Sequence, residues 1–219
     1  SLYTPVDISE DALARAVLRL ARAFPWLRIA PVRGDFSRPL GLPRLPDGAR
    51  RVVYFPGSTI GNLTPDEAHA FLKMTRAQVG ARGAMIVGVD LRKDANVLHA
   101  AYNDAQGVTA AFNLNLLARI NRELGGDFDA RRFAHYAFYE PGAGRIEMHL
   151  VAKEKHAVTI GAHRFFFDRG ESIHTENSYK YSLSEFRALA AAAGFRAAKV
   201  WTDPRGWFSV HGLNSGSGS

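Results

Sequence analysis

The chain has 219 residues, of which 47% are hydrophobic and 22% are charged, a balance that suits one globular domain or a domain with a large insertion. It contains no cysteine, which excludes disulfides, thiolate zinc sites and cysteine nucleophiles. No apolar run approaches the roughly 20 residues of a membrane span. We therefore expect no membrane partner, and the cytoplasm is the default expectation for the location.

The charge and histidine patterns argue against two further classes of partner. The net charge is +7, but the basic residues are mostly arginines scattered singly, with no run of five like charges and no RNA-binding aromatic motif. The eight histidines show no H-x-x-x-H spacing. The sequence therefore predicts neither a nucleic-acid partner nor a metal site.

Strand and helix alternate through the first part of the chain. Apolar strands are predicted in LYTPVDIS, LRIAPVRGDF, RVVYFPG and AMIVGVDL, and the last is the near-continuous kind of run that a parallel sheet buries on both faces. One helix is predicted from Glu10 until Pro25 stops it. A second follows the capping box of Thr64 and Glu67, with Pro65 at its first helical position. This alternation predicts an open α/β sheet.

The pattern changes after residue 94. Residues 95–125 are predicted to be helical, and residues 133–181 to form antiparallel strands with a hairpin turn at Gly161. A capping box of Ser182 and Glu185 then opens a helix, and two strands close the fold. We predict the following organisation: a core sheet in 1–94, an insertion in 95–181, the closing part of the core in 182–213, and a linker or tail in 214–219.

Polar side chains stand where the predicted strands end. Asp7 ends the first strand, and Asp35 beside Phe36 ends the second. In open α/β sheets, ligands bind beyond the carboxyl ends of the strands. A carboxylate there can accept both hydroxyls of a ribose, and one beside an aromatic ring can hold a stacked adenine. The alternative is that both aspartates only cap the segments that follow them.

The stretch YFPGSTIGN places a glycine-rich turn after the third strand and leads to a carboxamide, Asn62. A nucleophile elbow, G-x-S-x-G, would have serine where this sequence has Thr59, and a phosphate loop would continue into Gly-Lys. Thr64 already caps the next helix, so Asn62 is not needed for that purpose. The turn is therefore either a steric requirement for glycine or part of a ligand site.

A second polar string, ESIHTENSYKYS, lies late in the insertion and groups Glu176, Asn177, Ser178, Tyr179 and Tyr181. Its composition is typical of a polar edge strand. The same side chains could instead line a pocket for a small polar ligand.

The strings YTPVDIS, GDF, FPGSTIGNLTP, AYNDAQGVTAAFN, RIEM and TENSYKY follow one another along the chain. In this order they resemble the histidine-specific S-adenosylmethionine-dependent methyltransferases, which make trimethylhistidine on the way to ergothioneine. The resemblance extends from about Leu2 to about Leu213. It implies a Rossmann-like class I methyltransferase sheet with an α+β substrate-binding insertion. It also implies S-adenosylmethionine as methyl donor, histidine as a small-molecule substrate, and no metal.

The resemblance also implies a role for each matching position. Asp7 would hold the ribose of the cofactor, and Asp35 with Phe36 the adenine. Asn62 and Tyr102 would hold the α-amino and carboxylate groups of the amino acid. The implied sets are cofactor-binding Asp7, Gly34, Asp35 and Phe36; catalytic Gly57, Thr59 and Asn62; and substrate-binding Asn62, Tyr102, Thr109, Met148, Glu176 and Ser178. Within the last set, Glu176 and Ser178 would hydrogen-bond the imidazole.

The chain departs from the family at its front. The family has a central strand with a Gly-rich loop, and a helical segment with tyrosines, before the string YTPVDIS, and this chain has no E-x-G-x-G. We therefore expect a larger part of a longer enzyme, whose front is a separate chain, a cleaved piece or residues outside this sequence. The edges of Leu2–Asp7 and Val52–Phe55 would then be unpaired.

Three alternatives to a histidine Nα-methyltransferase stay open at this point. The same fold and cofactor could serve a different amino acid. The chain could be a non-catalytic fragment or binding module that is inactive without the missing front. A basic, RNA-associated methyltransferase is the weakest alternative, and it predicts nucleic-acid binding that salt steeply weakens.

Overall fold

The computed structural model describes residues 1–216, and the last part of the predicted Gly-Ser tail, 217–219, lies outside the described residues. The helices are α1 (Glu10–Ala23), α2 (Pro65–Val79), α3 (Ala95–Tyr102), α4 (Val108–Leu124) and α5 (Leu183–Ala192), with short 3-10 turns at Thr59–Asn62 and Ala130–Arg132. The strands are β1 (Leu2–Tyr3), β2 (Val6–Asp7), β3 (Arg28–Ile29), β4 (Val32–Arg33), β5 (Val52–Phe55), β6 (Ala84–Asp90), β7 (Phe133–Glu140), β8 (Arg145–Ala152), β9 (His156–Ile160), β10 (His163–Phe167), β11 (Ser172–Tyr179), β12 (Phe195–Thr202) and β13 (Phe208–Ser215). None of the described helices is long and apolar enough to cross a membrane.

The core sheet has four strands in the order β12-β13-β6-β5. The apolar run of β6 lies inside it, parallel to β5 and antiparallel to β13. Helices α2 and α5 contribute to the main core, where Leu72, Val87 and Phe186 are fully buried. Burying such side chains contributes roughly 1.5–3 kcal/mol each. This arrangement fixes β6, and with it the position of Asp90 at the strand end.

Both predicted capping boxes are confirmed. At the start of α2 the Thr64 amide donates to Glu67 Oε2 over 2.8 Å, and the Glu67 amide donates to Thr64 Oγ1 over 3.3 Å. At the start of α5 the corresponding distances between Ser182 and Glu185 are 2.7 and 3.1 Å. Each box satisfies two backbone donors that a helix leaves free at its N-terminus.

Two parallel ribbons precede the core sheet, and each is shorter than predicted. The sequence predicts one strand through Leu2–Asp7, but the structure breaks it into β1 and β2 around Pro5, and it breaks the partner strand into β3 and β4 around Pro31. Proline has no amide hydrogen to donate to a ladder. The pairing nevertheless runs on to the Gly34 amide, which donates to the Asp7 carbonyl over 3.0 Å.

The insertion contains α3, α4 and strands β7 to β11. The predicted helical region 95–125 is two helices, because Asp104 accepts the amides of Val108 and Thr109 over 2.8 Å each and so starts α4 anew. Strands β11-β8-β7 form an antiparallel sheet. The predicted hairpin turn at Gly161 is confirmed between β9 and β10, with φ at +57°.

The predicted tail begins later than expected. Asn214 and Ser215 are the last residues of β13, where Asn214 pairs with Ala84 of β6 and Ser215 pairs with Phe195 of β12. Backbone pairing on both sides of β13 outweighs the linker-like composition of this segment. The tail prediction for 214–215 is therefore wrong.

A groove separates β2 from β5. Within residues 1–216, β2 pairs with β4 alone and β5 with β6 alone, so the edges expected to be unpaired are unpaired. The groove has a volume of about 480 Å³ and is lined by both edges, Leu2–Asp7 and Val52–Phe55. Val52 and Tyr54 are 51% and 66% exposed there. A large apolar surface thus lies open beside Asp7.

Candidate active site

The structure brings the predicted cofactor-binding residues to one edge. The bond from the Gly34 amide to the Asp7 carbonyl places the ends of β2 and β4 side by side. Asp7 and Phe36 both line the groove. The ring of Phe36 contacts Phe55 edge-on, with the ring centres 5.3 Å apart. A carboxylate and an aromatic ring therefore line the same cavity.

Both aspartates also make the local bonds that the capping alternative predicts. Asp7 Oδ1 accepts the Ser9 amide over 2.8 Å. Asp35 Oδ1 accepts the hydroxyl of Ser37 over 2.7 Å and its amide over 2.8 Å, and these bonds lower the pKa of Asp35. The caps fix the orientation of each carboxylate, which is compatible with a role in binding as well as in structure.

The 3-10 turn after β5 packs directly on β11. Ser58 has a positive φ of 56°, and its Oγ accepts the Asp90 amide over 2.8 Å. Gly61 is buried, and a Cβ added there would lie 2.8 Å from the Tyr179 carbonyl oxygen. A Cβ on Gly57 would meet only Thr59 Oγ1, at 3.6 Å. Close backbone approach therefore requires glycine at position 61, which the predicted site set did not include.

These distances give a paired prediction. Gly61→Ala should lower stability by about 1–3 kcal/mol, because the new methyl group meets backbone that cannot turn aside. Gly57→Ala is the matched control, and its unfolding temperature should stay close to that of the wild type. Thermal unfolding followed by circular dichroism measures both. Equal unfolding temperatures for the two variants would contradict the assignment of close packing to Gly61.

A buried lysine organises the polar cluster between α3, β6 and β11. The ammonium of Lys180 lies 2.8 Å from Asp90 Oδ2 and donates to Ser178 Oγ over 2.8 Å and to the Tyr102 hydroxyl over 2.9 Å. Its side chain is 1% exposed. The Tyr102 hydroxyl in turn donates to Ser178 Oγ over 2.8 Å, and Lys93 forms a second ion pair with Asp90, at 2.5 Å.

Sequence reasoning missed Lys180, although a signal was present. Glu176, Ser178 and Lys180 alternate along the chain, and residues at this spacing share one face of a strand. A lysine on the same face as two predicted ligand-binding residues would have been a candidate.

Glu176 is the carboxylate next to this cluster. Burial raises its pKa above the ordinary value, against the opposing effects of the Lys180 charge and of a hydrogen bond from Asn62. Met148 lies opposite Glu176 in the ladder and packs with Tyr102 in a small apolar core. The structure thus brings together Asn62, Tyr102, Met148 and Glu176, with Ser178 bonded to Tyr102.

Thr109 is hydrogen-bonded to Asp104 and to none of these residues in the described part of the chain. It is in the first turn of α4, and hydrogen bonds from its amide and its hydroxyl, followed by the amide of Val108, lower the pKa of Asp104 to about 2. Thr59 opens the 3-10 turn, two residues after Gly57.

The fold is that of the class I S-adenosylmethionine-dependent methyltransferases. The chain is similar to the solved structure of the CcbJ methyltransferase from Streptomyces caelestis, with a TM-score of 0.51 and 17% identity over 97% of this chain and 74% of that chain. At this identity the similarity shows the fold alone. The family model described as "Histidine-specific methyltransferase, SAM-dependent" matches residues 1–215, and the chain belongs to this family. The resemblance noted in the sequence is confirmed.

Two curated relatives carry the name histidine N-alpha-methyltransferase. They come from Mycolicibacterium smegmatis and Mycobacterium tuberculosis, and each is 40% identical to this chain over 210 residues. The match covers 95% of this chain and 65% of each relative. The chain thus spans about two thirds of the length of these relatives.

Proposed function

We propose that this protein transfers methyl groups from S-adenosylmethionine to the α-amino group of L-histidine, giving Nα,Nα,Nα-trimethylhistidine. The observation that carries the proposal is the half-buried Glu176 beside Asn62, Tyr102 and Ser178, in a chain 40% identical to two relatives named for this reaction. In this proposal residues 1–94 and 182–215 are the methyltransferase core, and residues 95–181 bind the substrate.

The groove beside β2 fits the nucleoside part of the cofactor. Asp7 and Phe36 line the groove, so Asp7 would supply a carboxylate for ribose hydroxyls, and Phe36 with Asp35 would supply a ring and an acceptor for adenine. The Gly34 amide holds the end of β4 beside Asp7. S-adenosylmethionine, when bound, supplies a methyl carbon already activated by its sulfonium. The residues of the chain therefore have to align a neutral amine with that carbon, at about 3–3.5 Å, and exclude water.

The polar cluster fits the amino acid. Glu176 can accept an imidazole N–H, with Ser178 beside it, while Asn62 offers both a donor and an acceptor to the α-amino and carboxylate groups. Tyr102 is held in place by its bonds to Ser178 and Lys180. The Lys180 ammonium lies 4.8 Å from the centre of the Tyr102 ring. In this proposal the aromatic ring of Tyr102 contacts the quaternary ammonium of the product, which aromatic faces attract.

The unpaired edges of β2 and β5 concern the question whether these 219 residues catalyse methyl transfer without a further segment. We propose that a further strand pairs with both edges, supplied by a separate chain, a cleaved piece or residues outside this sequence. The apolar groove, the exposed Val52 and Tyr54, and the 65% coverage of the relatives support this. A cytoplasmic location and chemistry without a catalytic metal remain parts of the same proposal.

A calorimetric titration with S-adenosylhomocysteine, with and without saturating histidine, tests the function. Cofactor binding that tightens with histidine and not with tryptophan would support the proposal. Equal tightening with both amino acids would overturn histidine as the substrate and favour a different amino acid. No cofactor binding would contradict catalysis by this chain alone and would favour the non-catalytic fragment.

A further inference from the structure

Three side chains with metal-binding atoms meet on the face of the insertion sheet that points away from its core. They are Glu147 and His149 of β8 and His174 of β11, and their candidate ligand atoms all lie within 4.8 Å of one another. Met148 and Leu150, which alternate with them along β8, are buried on the opposite face. The group is therefore separate from the polar cluster that contains Glu176.

The strand register explains why the three side chains converge. Glu147 and His149 are two residues apart on one strand, so they share a face. His174 is the direct cross-strand partner of His149, and the two imidazole rings stack with their centres 4.6 Å apart and their planes 15° apart. His149 Nε2 lies 3.1 Å from Glu147 Oε2. Two nitrogens and one carboxylate oxygen thus lie close together, and the His174 ring has to turn out of the stack for both nitrogens to face one ion.

The donor set matches a particular class of ion. Two histidines and one glutamate are a protein ligand set for zinc, and imidazole nitrogen also suits cobalt, nickel and copper, whereas magnesium and calcium prefer oxygen. Metal–nitrogen bonds of about 2.0–2.1 Å in a tetrahedral site place ligand atoms roughly 3.4 Å apart. Closure of the group would thus require a movement of about 1–1.5 Å, well within one side-chain rotation.

The surroundings permit that closure. His174 is exposed and is held through Nε2 by the Glu176 carbonyl at 3.2 Å, so its ring can turn at small cost. Arg145 donates to Oε1 of Glu147, which leaves Oε2 directed towards His149. Asn177 lies directly across from Glu147, and its buried Oδ1 has no hydrogen-bond partner among the described residues.

We propose that Glu147, His149 and His174 form a binding site for a divalent transition-metal cation, with Zn²⁺ as the best match. The sequence predicted no metal site because its histidines lack H-x-x-x-H spacing, whereas this site consists of an E-x-H pair on one strand and a histidine on the neighbouring strand. The bound ion joins β8 to β11 immediately before the irregular register that separates His174 from Glu176. It therefore fixes the strand that carries Glu176.

Calorimetric titration of the metal-free chain with zinc chloride tests the site. The titration is done without free histidine, because that amino acid itself chelates zinc. We expect one Zn²⁺ per chain and a higher unfolding temperature with zinc than without it. Titration with Co²⁺ should give the visible absorption bands of a tetrahedral nitrogen and oxygen site.

Matched variants separate the site from surface binding. His174→Phe keeps a ring to stack on His149 but removes the ligand, and Glu147→Gln keeps the volume but removes the charge. Each should weaken zinc binding at least tenfold, and the metal-free unfolding temperature of His174→Phe should stay close to that of the wild type. His163→Ala, an exposed histidine of β10 outside the group, should bind as the wild type does. Absence of zinc binding by the wild type, or affinity unchanged in His174→Phe and Glu147→Gln, would overturn the proposal.

Discussion

Replacing Glu176 by glutamine is expected to weaken histidine binding by about 10–100-fold with little effect on cofactor binding in the absence of histidine. The substitution keeps the shape of the side chain but removes the negative charge that would accept an imidazole N–H. A hydrogen bond to a charged group contributes roughly 1.5–3 kcal/mol, which corresponds to this range of affinity. Calorimetry with histidine in the presence of S-adenosylhomocysteine measures the change.

Stability distinguishes a binding role of Glu176 from a structural one. Because burial raises its pKa, the folded protein binds this proton more tightly than the unfolded chain does. The ionised carboxylate therefore opposes folding at neutral pH, and this cost disappears as the pH falls below the ordinary value of 4.5. Glutamine, which stays neutral, should keep or raise the unfolding temperature at pH 7.

The control for Glu176→Gln is Glu154→Gln. The side chain of Glu154 is 59% exposed and forms an ion pair with Arg132 at 3.2 Å, a type of pair that contributes little. This variant should match the wild type in both measurements. If Glu176→Gln lost stability but kept its affinity for histidine, the carboxylate would be a structural element and the proposed substrate site would be wrong.

The sequence predicts local structure well where a side chain hydrogen-bonds to backbone only a few residues away. Thr64 with Glu67, and Ser182 with Glu185, predicted helix starts because hydroxyl and carboxylate side chains satisfy the free backbone donors there. The position of Asp7 was predicted by a different rule. Parallel strands bring their carboxyl ends to one edge, and Asp7 stands at such a strand end.

The predictions fail where the structure depends on contacts between residues that are far apart in the sequence. Nothing local shows that Gly61, and not Gly57, must approach the backbone of Tyr179, because that contact joins a turn to a strand far along the chain. Glu147, His149 and His174 come together only through the register between β8 and β11, which the spacing of residues in the sequence does not give. Ser215 looks like linker until its pairing with β12 is known.

Lys180→Met is expected to give the largest loss of stability, about 3–5 kcal/mol, or a fall in unfolding temperature of about 10 °C. The substitution removes an ammonium that is 1% exposed and lies 2.8 Å from Asp90 Oδ2. Asp90 then keeps only Lys93 as a cationic partner, and buried Ser178 loses a donor. Removing one member of a buried pair costs more than the pair contributes, because the remaining charge loses part of its compensation.

Chemical unfolding of four proteins settles the origin of that loss: the wild type, Lys180→Met, Asp90→Asn and the double variant. If the ion pair is responsible, the double variant should be less destabilised than the sum of the single variants, because Asp90→Asn removes the carboxylate that Lys180→Met leaves under-compensated. Lys153→Met, at an exposed lysine that donates to the Arg131 carbonyl over 3.0 Å, should change stability by less than about 0.5 kcal/mol. Strict additivity would assign the loss to packing and to the bonds with Tyr102 and Ser178, so that Lys180 would act on the amino-acid site through these two side chains alone.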